Sequence, residues 1–470
     1  MGLVRFSWWE NGDSFDVPLV VNRLLARGAR GYWLTADDAS AAAGDFILDL
    51  TSAQRAAAAA AGLKLSDFAG GPGGDGCMPL RPARIALFSG TASRYPYDAY
   101  YGLALLRLGY DFEIVDGRAI AEGALRRANV FVIPGGFATW GIDAAEESPG
   151  ADAEVRAFLD RGGGAVGSCG GAYYLSAGRP GWTGTADAKP LFNHEYLQSG
   201  VGVVEVALAR SVLTLGCPPA LDMPYYHGPI YNEVGAGAAV VGRFANLIMP
   251  GAVAIGNPLD RALFENGMRE HPAILSAEGR RGRAVLFSPH PEMGDLVRKY
   301  IAMDGYVRKY LPIRGLPTMR DTLRHYRVSD APSFRLIANA VAWLSRSDAD
   351  EAPRLDRDAQ DDARAELVAS LQKRGERLDL SGRTSDEKAL ALFLRDGLRA
   401  RAGAMDGAQA GRSSAHHAAL ARFAAAAVAR LSTEGHLPLT QELMEMELAI
   451  ALQECGQRID AIDAKLDQTR

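Results

Sequence analysis

The sequence predicts an α/β fold built around a doubly wound parallel sheet, with a smaller unit on each side of it in the chain. Two observations support this prediction. Short apolar runs typical of buried strands alternate with helical patterns from residue 82 onward, and several of these runs end in glycine. Such alternation is typical of a parallel sheet that helices cover on both faces. Functional loops in these sheets gather at the carboxyl ends of the strands, so candidate residues are expected there.

The composition divides the chain into three units. A small α/β unit is predicted over residues 1–75, and the glycine-rich stretch AGGPGGDG at 69–76 is its expected end. The parallel sheet is predicted over residues 82–347. Beyond it the sequence shifts to alanine, aspartate, arginine and glutamate, which predicts an α-helical C-terminal domain over residues 350–470.

The elements of the central unit can be assigned in order. RIALFSG, DFEIVD, ANVFVIPGG and GAVGSC are predicted strands, and the helical patterns DAYYGLALLRLGY and GADAEVRAFLDRGG lie among them. Residues 200–265 are predicted to be a β-rich elaboration. The strand pattern returns at RAVLF, immediately before SPHPEMGD, and a helix at about 333–345 is expected to close the unit.

Charge and cysteine content exclude several classes of protein. The net charge of −5, with both signs intermixed, predicts no nucleic-acid partner and no membrane surface. No signal peptide is recognisable at the start, so a cytoplasmic location is expected. The four cysteines have neither zinc-site nor disulfide spacing, and we expect no metal and no cofactor. They are Cys77, Cys169, Cys217 and Cys455, of which Cys217 and Cys455 are expected to be small core residues.

Cys169 lies in the stretch AVGSCGGAYYLSAG, immediately after an apolar strand. The flanking Gly167, Gly170 and Gly171 permit a sharp turn because they carry no Cβ. The helix that follows would direct its amides and the positive end of its dipole at the turn, which favours a thiolate. Cys169 is therefore a candidate nucleophile, and the alternative is a small residue in a tight connection.

A nucleophilic thiol needs a base, an acid that orients the base, and an oxyanion pocket. The motif SPHPE supplies His290 as the base and Glu292 as the group that fixes its tautomer. The backbone amides of Gly136 and Gly170 are the predicted oxyanion donors. All these residues follow apolar strands, and the sequence therefore predicts a Cys–His–Glu triad.

These motifs resemble those of a known superfamily. VFVIPGG, GSCGGAYYL and LFSPHPE are similar to the three signatures of class I glutamine amidotransferase domains. SGTAS, GSCGGAYYL and YYHGPIYN are more closely similar to the amidotransferase-like N-terminal domain of biotin–protein ligases and its stand-alone bacterial relatives. The resemblance covers about residues 82–345 and implies a flavodoxin-like sheet with Cys169, His290 and Glu292 as the triad.

The sequence departs from the superfamily pattern at Tyr173. Class I enzymes usually carry a glutamine there that helps hold the substrate, so free glutamine is expected to be a poor substrate for this chain. Gly135, Tyr97 and His227 are further candidates for substrate binding, although His227 also fits a surface or packed position. The acidic residue Asp98 fits either the pocket or a helix N-cap.

Two classes of function remain open on the sequence. The first is a thiol-dependent amidase or amidotransferase-like hydrolase that passes through a thioester on a small-molecule or peptide-like amide. The second is a non-catalytic binding or regulatory module that retains the fold.

The last predicted helix carries an apolar seam whose members are spaced alternately by four and three residues. The seam consists of Leu448, Leu452, Cys455, Ile459, Ile462 and Leu466. Burial within a helical domain and contact with another chain are both compatible with this spacing. A homo-oligomer or a protein partner bound through the C-terminal helices is therefore a candidate.

Overall fold

The structure is a computed structural model. It describes residues 2–38, 41–70, 76–90, 96–136, 142, 148–191, 200–248, 257–279, 282–309, 326–346, 357–375 and 441–468.

An antiparallel five-stranded sheet forms the N-terminal part of the molecule. Its strands are β1 (Gly2–Phe6), β2 (Arg30–Leu34), β3 (Phe46–Leu50), β4 (Ser66–Asp67) and β5 (Cys77–Leu80), in the order β4-β1-β3-β2-β5. Helices α1 (Asp16–Ala26) and α2 (Ser52–Ala60) complete this part. β5 pairs with β2, so the sheet extends beyond the end predicted at residue 75, because the chain returns to it after the glycine-rich stretch.

The second sheet has nine strands, and its first half matches the predicted parallel sheet. The strands of this half are β6 (Ile85–Phe88), β7 (Phe112–Val115), β8 (Val130–Ile133), β9 (Gly164–Ser168) and β16 (Gly282–Phe287). They are all parallel and lie in the order β16-β9-β8-β6-β7. Numbered along the chain, this is the order 2-1-3-4-5 of flavodoxin-like sheets.

Helices cover both faces of this parallel half, as a doubly wound sheet requires. The helices in this part of the chain are α3 (Tyr97–Arg107), α4 (Gly117–Ala121), α5 (Ala151–Asp160), α6 (Gly170–Leu175), α7 (Arg261–Gly267), α8 (Gly294–Lys309) and α9 (Phe334–Leu344). Along β8, Val130 and Val132 belong to one hydrophobic cluster, whereas Phe131 and Ile133 belong to the other. The alternation buries both faces, which explains why the strand is apolar throughout.

The second half of this sheet is antiparallel, and most of its strands come from the β-rich elaboration predicted over residues 200–265. It contains β11 (Val201–Leu208), β12 (Ala220–Tyr226), β14 (Ala238–Leu247) and β15 (Pro272–Gly279), in the order β12-β11-β14-β15 next to β16. β15 and β16 pair from Ile274 opposite Phe287 to Gly279 opposite Gly282. So short a connection joins only antiparallel strands. The separate strands β10 (Ala188–Pro190) and β13 (Tyr231–Val234) pair with each other.

Two C-terminal helices, α10 (Arg357–Gly375) and α11 (Gln441–Asp467), are described, and the remainder of the predicted helical domain lies outside the described residues. α11 packs on α10 and on α1, α2, α3 and α8. All six residues of the predicted seam are buried in the same hydrophobic cluster as the core of α1. The seam is therefore covered by this chain. Within the described part of the chain, no helix is both long enough and apolar enough to cross a membrane.

Candidate functional site

Cys169 occupies a strained turn between β9 and α6. Its backbone has φ 51° and ψ −107°, a conformation that side-chain-bearing residues rarely adopt. The turn is so tight that a Cβ on Gly171 would collide with the carbonyl oxygen of Ile133. The amide of Cys169 donates to the carbonyl of Phe287 at 2.9 Å, which ties this turn to the end of β16. The structure thus contains the predicted strand–turn–helix with the thiol at its apex.

His290 and Glu292 follow β16 and form a buried pair. Nδ1 of His290 lies 2.6 Å from Oε1 of Glu292, and both side chains are 0% exposed. The peptide amide of His290 donates to the carbonyl of Pro224 at 2.8 Å, and Pro291 begins a single turn of 3-10 helix that carries Glu292. With Nδ1 bound to the carboxylate, the other ring nitrogen, Nε2, is the atom left for chemistry.

Cys169 and His290 flank the same point of the backbone. A Cβ built on Gly135 would lie 2.5 Å from Cε1 of His290 and 3.2 Å from Cβ of Cys169. Nε2 is buried and makes no hydrogen bond of ordinary geometry to the described residues. The Cys169 sulfur donates instead to the carbonyl of Tyr226, at 2.9 Å. Glycine is required at position 135 because any side chain would enter this space.

The electrostatics of the site favour a charged imidazole. Burial by itself lowers the pKa of His290, but the Glu292 carboxylate and the neighbouring Cys169 sulfur raise it, and the result is a pKa of about 10. Glu292 and Cys169 thus favour the protonated form of the imidazole at this position.

The two predicted oxyanion residues lie next to each other. A Cβ on Gly170 would collide with the carbonyl oxygen of Gly136, so the segment after β8 touches the N-terminus of α6. Gly136 has φ 75°, which favours glycine. The structure brings both residues to the turn that carries Cys169.

Tyrosines surround the candidate triad. The ring of Tyr97 stacks on His290 with centroids 5.2 Å apart, and the ring of Tyr226 meets the imidazole edge-on at 5.9 Å. Tyr173 packs against Trp182 with centroids 5.5 Å apart. Burial and the nearby Cys169 both raise the pKa of Tyr173. Two tyrosine rings therefore pack directly on the imidazole of His290.

His227 and Asp98 have different relations to this site. His227 directly follows Tyr226, is half-buried, and adopts φ 52°, with its amide donating to the carbonyl of Gly200 at 2.7 Å. Asp98 is not an N-cap, because α3 already begins at Tyr97 and its cap position is Pro96. Its carboxylate accepts from the hydroxyl of Ser89 at 2.7 Å, so it fixes the end of β6.

Ser168 is a site residue that the motif analysis missed. Its hydroxyl donates to Oε2 of Glu292 at 2.9 Å and lies 2.6 Å from the hydroxyl of Tyr101. The available signal was a polar residue at the buried end of an otherwise apolar strand. Among the described residues, no group of three histidine, cysteine, aspartate or glutamate side chains is arranged to hold a metal ion.

Comparison with solved structures finds proteins of low sequence identity and low TM-score. A glutamine amidotransferase structure is 18% identical with a TM-score of 0.31, and the alignment covers 47% of this chain and 97% of that one. A protein from Thermoplasma acidophilum, described as a proposed subunit of GMP synthase, is 13% identical with a TM-score of 0.31, over 50% of this chain and 98% of that one. A ThuA-like protein from Bacteroides uniformis is 9% identical with a TM-score of 0.31, over 56% and 91%.

No protein-family profile and no curated protein matches the chain. TM-scores this low carry no argument about the molecule, and the assignment of the fold therefore depends on the strand order and the directions of the strands. These define a flavodoxin-like parallel half-sheet with an antiparallel extension.

Proposed function

We propose that this chain is a cysteine-dependent amidase or amidotransferase-like hydrolase of the class I glutamine amidotransferase type. The observation that carries the proposal is the coincidence of a thiol on a strained turn with a buried histidine whose Nδ1 is bound to a glutamate. In this proposal Cys169 is the nucleophile, and His290 and Glu292, from a distant segment of the chain, are its base and orienting acid.

In the proposed reaction His290 holds the thiol proton as an imidazolium, and the Cys169 thiolate attacks the carbonyl carbon of an amide. The new carbon–sulfur bond gives a tetrahedral oxyanion, which the Gly136 and Gly170 amides would stabilise. The carbon–nitrogen bond then breaks as His290 returns the proton to the leaving amine. Water, deprotonated by His290, attacks the thioester, and the acid leaves as the thiol is restored.

The substrate is a small-molecule or peptide-like amide other than free glutamine. Tyr173 lies near Cys169, packs against Trp182, and occupies the position where class I enzymes carry a glutamine that holds their substrate. An aromatic wall favours an apolar or planar acyl group. We further infer a relation to the N-terminal domain of biotin–protein ligases, because the carbonyl of Tyr226, in the YYHGPIYN motif, accepts from the Cys169 thiol.

A second function is favoured by the burial of the site. Cys169 is 6% exposed and His290 is 0% exposed, with tyrosine rings packed on the imidazole. A binding or regulatory module that retains the amidotransferase fold would keep such a closed arrangement.

Thiol labelling of the full-length protein tests the proposal. Brief treatment with iodoacetamide at neutral pH, followed by peptide mass spectrometry, should modify Cys169 much faster than the half-buried Cys77. Burial raises the pKa of Cys217 and of Cys455 to about 12 each, so both should remain unmodified. Cys169→Ser should abolish the fast labelling, whereas the matched variant Cys77→Ser should preserve it.

Turnover is tested by the mass of the protein after mixing with a panel of aryl esters and carboxamides. An added acyl group on the wild type that is absent from Cys169→Ser supports the thioester. Labelling of Cys169 no faster than that of Cys77, together with no acyl adduct, would overturn the enzyme proposal and leave the binding module.

A further inference from the structure

A continuous chain of buried hydrogen bonds extends from the triad into the sheet. Nδ1 of His290 and Oε1 of Glu292 are 2.6 Å apart, and Oε2 of the same carboxylate accepts from the Ser168 hydroxyl at 2.9 Å. The Ser168 hydroxyl is in turn 2.6 Å from the hydroxyl of Tyr101. All four side chains are shielded from solvent.

The donors and acceptors in these linked hydrogen bonds can be oriented in only one way when Glu292 is a carboxylate. A carboxylate only accepts, so both His290 and Ser168 must donate to it. Ser168 has a single proton, which it gives to Glu292, and it must therefore accept from Tyr101. Burial and the negative charge of Glu292 raise the pKa of Tyr101 well above its ordinary value, so its proton is present for this bond.

We propose that Ser168 and Tyr101 are positioning residues that hold the Glu292 carboxylate in the orientation at which it receives Nδ1–H of His290. The proposal rests on the function proposed above, since its purpose is to direct Nε2 toward Cys169. Each oxygen of Glu292 has its own donor, and the carboxylate cannot rotate without leaving one of these buried groups unpaired.

Three elements contribute side chains to these linked hydrogen bonds: Tyr101 comes from α3, Ser168 from the last position of β9, and Glu292 from the turn after β16. Ser168 pairs with Phe287 in the parallel ladder, and this register sets the distance between the two loops. Because Ser168 immediately precedes Cys169, two adjacent residues supply both the nucleophile and the support of its acid.

The test uses two variants, each with a matched control. Ser168→Ala removes the donor to Glu292, and Ser288→Ala removes another buried hydroxyl two residues before His290 that has no hydrogen-bond partner among the described residues. Tyr101→Phe removes the outer hydroxyl, and Tyr100→Phe removes the neighbouring hydroxyl on α3, which donates to Met444 Sδ.

The first measurement is the low-field proton resonance of Nδ1–H of His290 in the NMR spectrum, which does not depend on turnover. We expect Ser168→Ala and Tyr101→Phe to shift or broaden it, with the larger change for Ser168→Ala, while both control variants leave it in place. Tyr101→Phe keeps the shape of the ring, so it preserves the test if Ser168→Ala does not fold.

The second measurement is the iodoacetamide labelling rate of Cys169, which we expect to fall by about tenfold in Ser168→Ala, as for loss of a buried charge-assisted hydrogen bond. If both variants match their controls in the resonance, the positioning proposal is wrong. If the resonance responds while Cys169 never reacts faster than Cys77 in any protein, the hydrogen-bond chain is established and the proposed enzyme function is the part that fails.

Discussion

Two sets of buried charged groups in this molecule differ in whether their polar atoms all have hydrogen-bond partners. The α11 network consists of two separate groups of paired charges: Arg23 bridges Asp111 and Asp463, and Glu447 accepts from Lys299 at 2.6 Å and from the Tyr300 hydroxyl at 2.8 Å. The network at the candidate site pairs Glu292 fully but leaves Nε2 of His290 without an ordinary hydrogen bond to the described residues.

The difference separates a structural use of buried charge from a chemical one. Burying a charge is costly unless hydrogen bonds and an opposite charge compensate it, and the α11 network meets that requirement on both sides. The site network compensates the carboxylate and directs the remaining nitrogen at the region of the thiol. We therefore expect changes in the first network to alter stability alone, and changes in the second to alter reactivity as well.

The largest expected effect on stability is that of Asp463→Ala. Asp463 binds Arg23 through two hydrogen bonds, at 2.7 and 2.8 Å, and lies 3.0 Å from Arg27. Removing it leaves buried guanidinium groups without this partner, which should lower the free energy of unfolding by about 3 kcal/mol. Urea titration measures this loss, and the labelling rate of Cys169 should be unchanged. A tenfold change in that rate would mean that the two networks are coupled.

The second prediction concerns pH. His290 has a folded-state pKa of about 10 against an ordinary value of 6.5. A group whose pKa is raised by folding contributes its stability in full below the unfolded value and loses it as pH rises through the folded value. The free energy of unfolding of the wild type should therefore fall between about pH 6.5 and pH 10.

Glu292→Gln tests the cause of this pH dependence, because it removes the charge that raises the pKa of His290. Its loss of stability across the same pH range should be smaller, as measured by urea titrations at a series of pH values. Glu278→Gln, at a carboxylate that is 57% exposed, is the matched control and should retain the wild-type slope. Equal slopes in all three proteins would show that Glu292 does not set the titration.

Gly135→Ala should disturb the site with a smaller loss of stability. The new methyl group would lie 2.5 Å from Cε1 of His290, so the imidazole must move. We expect a loss of about 1–3 kcal/mol, as for overpacking, together with loss of fast Cys169 labelling. Gly279→Ala introduces the same methyl group into open space and is the control. Normal labelling in Gly135→Ala would contradict the site geometry.

The smallest effect should be that of Asp467→Ala, in the last turn of α11. Asp467 lies 3.1 Å from Arg27, but its side chain is 46% exposed. An exposed pair of this kind contributes less than about 1 kcal/mol, and its contribution falls with added salt. A loss as large as that of Asp463→Ala would show that exposure is not what distinguishes these two pairs.

Local sequence was sufficient for the components of the candidate site. The glycines around Cys169 predict the strained turn, and the i, i+2 spacing of His290 and Glu292 allows the 2.6 Å contact. Ser168 and Tyr101 could not be assigned in this way. Their contact joins β9 to α3, and no spacing pattern in the sequence identifies the hydrogen-bond partner of a hydroxyl at the end of a strand.

The antiparallel half of the second sheet shows the same limit. Apolar runs between residues 200 and 279 predict strands, but the amino acids in these runs do not predict which edge of the sheet the strands join. The pairing of β15 with β16 decides it, and that pairing extends the parallel half instead of forming a separate layer.

The sequence by itself predicted most elements of the parallel half-sheet, the turn at Cys169 and the pairing of His290 with Glu292, because these depend on backbone preferences and spacings within a few residues. Only the tertiary structure decided that β16 lies beside β9 in a register opposing Phe287 to Ser168, and that this chain covers the seam of α11. Those outcomes depend on hydrogen bonds and apolar contacts between residues more than a hundred positions apart. These long-range contacts form only when the whole core is packed.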